Sequence, residues 1–180
     1  MFKEIKTSPL APKGGFPNLP IVKGVTFSAY ASGVKYKNRT DTMLVSISPL
    51  SSIAGVFTKS STRSSAVLDC QEKLEKVSQN NNGFAFMVNS GNANAFTGKK
   101  GVLSVKKLVK ALSSSLDLPE ANIFTSSTGV IGEPLPVNKL INAIKKYFTF
   151  FPLILDYEWH FHHLALLQHD AILLLLFYLV

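Results

Sequence analysis

Ile123-Phe124-Thr125-Ser126-Ser127-Thr128-Gly129-Val130-Ile131-Gly132 is the stretch from which the rest of the chain is best read. An apolar run that gives way to small hydroxyl residues and then to glycines predicts a strand ending in a tight loop. Glycine accepts φ > 0 there and leaves room for a ligand to approach the backbone. Thr128 offers a hydroxyl donor and Gly129 an unobstructed N–H beside it. Two adjacent donors are what a developing oxyanion needs. Alone, such a pattern is more often an ordinary turn. It gains weight from a second polar stretch, Asn89-Ser90-Gly91-Asn92-Ala93-Asn94-Ala95-Phe96-Thr97-Gly98, which also follows a strand-like run. That run, Phe84-Ala85-Phe86-Met87-Val88, is apolar throughout, as in a strand buried on both faces.

Further strands are expected upstream. Val22 to Ser32 alternates, with Val25, Phe27 and Ala29 on one face. Met43 to Ser48, closed by Pro49, and Ile53 to Thr58 read the same way. Between Gly101 and Leu116 the apolar residues Val105, Leu108, Val109, Leu112 and Leu116 fall at helical spacing, with lysines opposite. A second helix is expected from Pro136, which suits a first helical turn, with Val137, Leu140, Ile141, Ile144 and Phe148 on one stripe. Strands early, then strand–helix–strand–helix, predict a layered α/β (α+β) domain.

The 180 residues are enough for one domain or part of a larger one, and 46% hydrophobic with 17% charged is a globular composition. The net charge of +8 comes from lysines spread through the first 146 residues, and no nucleic-acid-binding motif accompanies them, so no nucleic-acid partner is expected. A single cysteine, Cys70, rules out an internal disulfide and reads as a small buried hydrophobe or a partly covered thiol rather than a nucleophile. The N-terminus has no apolar signal region, which makes the cytoplasm the expected location. Arg39 and Asp41 would pair with each other or cap a loop. The amides of Asn89, Asn92 and Asn94 would tie down the loop after the buried strand or touch a substrate.

Four blocks together resemble the α-chain half of the ornithine acetyltransferase family, the glutamate N-acetyltransferases of arginine biosynthesis. They are FPNLPIVKGVTFSAYASGVKYKNRTD (16–41), AGVFTKS (54–60), NSGNANAFTG (89–98) and STGVIGEPLP (127–136). The resemblance covers residues 16–148 after a lead-in over 1–15. It implies a partial α-chain domain of an N-terminal-nucleophile-like acetyltransferase that needs no cofactor and no metal. In such enzymes a precursor cuts itself before an internal threonine. The freed threonine, activated by its own amine, carries the acetyl group from N-acetylornithine to glutamate. Members differ in whether acetyl-CoA also serves as donor, and intact members form an αβ heterotetramer with the β chain of the same precursor. The resemblance assigns the oxyanion hole to Thr128 and Gly129.

After Phe148 the vocabulary changes. All 19 Lys and Arg precede this point, whereas residues 149–180 hold all four His and no Lys, Arg or Gly. The family's substrate threonines, lysine and nucleophile are not recognisable in 149–180. A frameshifted or truncated gene, and a chain without turnover of its own, is the expectation. His160, His162, His163 and His169 with Asp156 and Glu158 are not expected to bind metal, since a strand would split the first three between faces. Ala171 to Val180 is apolar but too short to span a bilayer, which takes about twenty residues. It reads instead as an aggregation-prone segment. The rival reading is a non-enzymatic protein whose apolar tail associates with a membrane or partner. A nucleotide- or anion-binding module is disfavoured because the glycine loops lack the lysine and spacing of a P-loop.

Overall fold

The hydrophobic periods above resolve into a four-stranded mixed sheet with helices on both faces. The computed structural model describes residues 22–76 and 82–148, and the backbone of 174–178. The expected lead-in over 1–15, the histidine cluster and most of the apolar tail lie outside these residues.

Strands β1 (Val25–Tyr30), β2 (Thr42–Ile47), β4 (Phe84–Asn89) and β5 (Ile123–Ser127) form the sheet in the order β1-β2-β4-β5. The first two pairings are antiparallel, and β4 with β5 is parallel. A parallel pair needs a crossover, and helix α2 (Gly98–Leu116) supplies it. Strand β3 (Ser52–Val56) lies apart from this sheet and pairs antiparallel with β6 (Leu174–Tyr178). Helix α1 (Ser65–Lys76) joins β3 to β4, and α3 (Val137–Phe148) follows β5.

Strand alternation sorts the core into two layers. Leu44, Ala85, Met87 and Ile123 face one way and pack against Val105, Leu108, Val109 and Leu112 of α2 and Leu140 and Ile144 of α3. Val45, Ile47, Phe84, Phe86 and Phe124 face the other way, against Cys70 and Leu74 of α1 and Ile53 of β3. Burying each large side chain of this kind contributes about 1.5–3 kcal/mol, so β4, covered on both faces, is the anchor of the fold. Its continuous apolar run had predicted this, and both later helices fall where their stripes placed them. The Phe148 side chain of the α3 stripe lies outside the described residues.

Two points differ from the sequence reading. The Val25, Phe27, Ala29 face of β1 is not uniformly covered: Val25 packs against the α1-side core, but Phe27 stays 49% exposed. The cause is position, because β1 is the edge strand and the α1 layer does not reach its middle. Helix α1 was not anticipated. Its signals were present: Ala66, Val67, Cys70 and Leu74 recur at helical spacing, and Asp69–Lys73 and Glu72–Lys76 form i,i+4 pairs. The serine-rich approach, with the Ser64 hydroxyl accepting from the Val67 N–H at 3.4 Å, masked a helix start as a loop.

Candidate functional site

One end of the sheet gathers the loops that the sequence singled out. Tyr30 is registered with Thr42, Thr42 with Asn89, and Asn89 with Ser127, so these four residues form a row across the sheet edge. From this row emerge the 31–41 loop, the 90–97 loop and the 128–136 loop. The last two leave the carboxyl ends of the parallel strands, where open α/β sheets ordinarily bind ligands.

The 128–136 loop is fastened along its length to the 90–97 loop. The Thr128 N–H donates to the Asn89 carbonyl at 3.0 Å, the Ala93 N–H to Val130 at 3.0 Å, and the Gly132 N–H to Ala95 at 2.9 Å. Asn92 and Val130 form a parallel bridge that prolongs the β4–β5 pairing. Gly129 makes this closeness possible. It sits at φ +130°, and a Cβ there would lie 2.6 Å from the Asn92 nitrogen and nearer still to the Gly91 carbonyl carbon.

The three asparagines are buried and their amides work inside the protein. Asn89 Nδ2 donates to the Asn92 carbonyl at 3.0 Å, and its Oδ1 accepts from the Ser127 hydroxyl at 2.7 Å. Asn92 Nδ2 reaches the Glu133 carbonyl at 3.0 Å and that of Pro134 at 3.3 Å, while its Oδ1 accepts from the Asn94 N–H at 2.8 Å. Asn94 Nδ2 donates to Gly101 of α2 at 3.2 Å. Tying down the loop is therefore what these amides do, and they tie the opposite loop as well.

In this fastened frame two donors stay open. Thr128 is half-buried and Gly129 exposed. Among the described residues, neither the Thr128 hydroxyl nor the Gly129 N–H makes a hydrogen bond. The two expected site residues thus lie beside the fastened loop pair, with donors that meet no acceptor among the described residues.

The 31–41 loop closes over the same edge. Asp41 is buried and accepts from the Ser32 N–H at 2.7 Å and the Val34 N–H at 2.6 Å, so it caps the loop. Arg39 does not pair with it; its guanidinium lies over the Tyr36 ring, 5.4 Å from the centroid. Lys35 grips both carboxylate oxygens of Glu133 at 2.9 and 2.8 Å, joining this loop to the one after β5. Burial first, and the Asp41 charge second, push the Tyr30 phenol above its ordinary range, so it stays protonated. Neither the Lys35–Glu133 pair nor the Ser127–Asn89 pair had a sequence signal, since each partner lies far away in the chain.

Cys70 is fully buried, with its thiol 3.2 Å from the Thr125 carbonyl. Burial pushes it up to about 11, which keeps it a thiol at neutral pH and disqualifies it as a nucleophile. Among the described residues no group of three or more His, Cys, Asp or Glu could hold a metal, and no helix is long and apolar enough to cross a membrane.

A mixed sheet clothed in helices is the architecture this chain shares with the solved structures that resemble it. The arginine biosynthesis bifunctional protein ArgJ of Bacillus halodurans matches with a TM-score of 0.61 and 32% identity, over 69% of this chain and 63% of that one. The ornithine acetyltransferase of Mycobacterium tuberculosis, solved with ornithine bound, matches at 0.60 and 25% identity, over 71% and 67%. The ArgJ family model matches residues 26–163, ending beyond the boundary drawn at 148. The ArgJ proteins of Ruegeria pomeroyi and Agrobacterium fabrum are 48% and 43% identical, each over 78% of this chain. The chain belongs to the ArgJ family. It spans about a third of the length of these curated relatives, 34% and 33%.

Proposed function

We propose that this chain is the oxyanion-binding part of an ornithine acetyltransferase, an enzyme that moves an acetyl group from N-acetylornithine to glutamate. The observation that carries the reading is the open donor pair, Thr128 hydroxyl and Gly129 N–H, at the carboxyl end of a parallel strand pair in an ArgJ-family chain. Attack of a threonine hydroxyl on the acetyl carbonyl places negative charge on its oxygen. Thr128 and Gly129 donate to that oxygen in both half-reactions, first as ornithine leaves and again as glutamate attacks the ester. Preorganised donors of this kind act because they need no reorientation as charge develops.

The nucleophilic threonine belongs to the part of the relatives that this chain does not span, contributed by a β chain in an αβ heterotetramer. On this reading the chain alone has no turnover, works without cofactor, and operates in the cytoplasm. Acetyl-CoA is a second donor to be tested alongside N-acetylornithine. The experiment is co-expression of the full chain with the β chain of a relative, assayed for acetyl transfer to glutamate. Activity that falls about 10²–10³-fold in Thr128→Ala supports the reading. Activity from the unpartnered chain, or activity indifferent to Thr128, overturns it.

A further inference from the structure

We propose that Asn89, the last residue of β4, is a positioning residue for the Thr128–Gly129 donor pair, acting through Ser127 and Asn92. This deepens the function proposed above and rests on it. Asn89 touches both sides of the site at once. Its carbonyl takes the Thr128 N–H at 3.0 Å, which removes that N–H from the donor set and fixes the plane of the 127–128 peptide. Its Oδ1 holds the Ser127 hydroxyl at 2.7 Å, and its Nδ2 holds the Asn92 carbonyl at 3.0 Å. The Gly91–Asn92 backbone so held is the surface against which Gly129 rests, with no room for a Cβ between them. One 2% exposed side chain therefore sets the angle of the donor loop from below and the height of the loop beside it. The donors sit on a loop, but their register is set by a residue at the end of β4, the strand covered on both faces.

The geometry separates this role from plain stability. Asn122 is a matched buried amide at the other end of the same parallel pair, donating to the Gly83 carbonyl at 2.6 Å. Loss of either amide destabilises the fold, but only loss of Asn89 should disturb the donors.

The test uses the full chain labelled with nitrogen-15, with N-acetylornithine as the probe and the Gly129 amide cross-peak as the readout. In the unaltered protein the peak should move on titration, and Thr128→Val should weaken the apparent affinity. Asn89→Ala removes both of its side-chain hydrogen bonds from the frame and should weaken the affinity at least about tenfold. Ser127→Ala, a milder change that leaves the strand intact, should weaken it in the same direction if Asn89→Ala fails to fold. Asn122→Ala should lower the melting temperature and leave the affinity at Gly129 unchanged. If Ser127→Ala and folded Asn89→Ala bind like the unaltered chain, or if Asn122→Ala weakens binding as much as they do, the positioning role is overturned while the donor pair stands. If Gly129 does not respond in the unaltered protein, or Thr128→Val binds equally well, the donor-pair reading fails and this proposal fails with it.

Discussion

Replacing Gly129 by alanine tests the tightest joint in the site. Two costs separate cleanly there. The first is conformational: φ +130° is a backbone region that residues with a Cβ rarely adopt, and holding one there costs about 1–3 kcal/mol. The second is steric. The added Cβ would meet the Asn92 nitrogen at 2.6 Å and the Gly91 carbonyl carbon closer still, and both are backbone atoms held by the Asn89 and Asn92 hydrogen bonds. Overpacking against atoms that cannot swing away costs about another 1–3 kcal/mol. Gly132 is the internal control. It lies three residues on at φ +82° with nothing within 4 Å of its would-be Cβ, so Gly132→Ala carries only the conformational cost. Thermal melts of the two variants isolate the loop contact. At about 2–4 °C per kcal/mol for a domain of this size, Gly129→Ala should melt several degrees below Gly132→Ala. Equal melting temperatures would refute the close approach of the two loops, and with it the frame in which the donors are held.

Asp41→Asn should cost about 2–4 kcal/mol in urea unfolding, because one carboxylate oxygen becomes an NH2 group facing the Ser32 or Val34 amide, leaving like donors opposed; a cost under 0.5 kcal/mol would remove Asp41 as the loop's cap. Stability should fall as pH rises from about 9 through about 11, the range in which an unfolded Cys70 ionises while the buried thiol keeps its proton. The folded value is raised above the unfolded one, so the contribution is complete below about pH 9 and lost above. A shift of about two units is worth about 3 kcal/mol. Cys70→Ala should make the fall of the urea midpoint shallower over that interval, the Tyr30 phenol, also raised on folding, still contributing above about pH 10; an unchanged slope would assign the loss to other groups.

Much of this protein was legible in its sequence because the relevant forces are local or periodic. The apolar run at Phe84–Val88 has the length and continuity of a strand covered on both faces, and the stripes after Gly101 and Pro136 have helical spacing. The placement of Thr128 and Gly129 after a strand was equally readable, since glycine and hydroxyl residues mark a turn by their own backbone preferences. Helix α1 was missed because serines at its entrance look like loop until their hydroxyls are seen to cap. Phe27 was placed on a covered face because alternation reports a strand's two sides but not whether it sits at an edge.

What only the tertiary structure decided is how separate segments hold one another. The sequence marked residues 89–98 and 127–136 as polar stretches at the ends of strands, and their motifs as resembling a family of acetyltransferases. It did not say that Asn89 fastens Ser127, that Asn92 reaches across to Glu133 and Pro134, or that Gly129 lies against Gly91. Those contacts depend on β4 and β5 lying parallel and adjacent, a pairing made by burying Phe86, Met87, Ile123 and Phe124 between two helical layers. Residue type announces a donor; the packing of distant residues decides which donors are satisfied within the protein and which stay open.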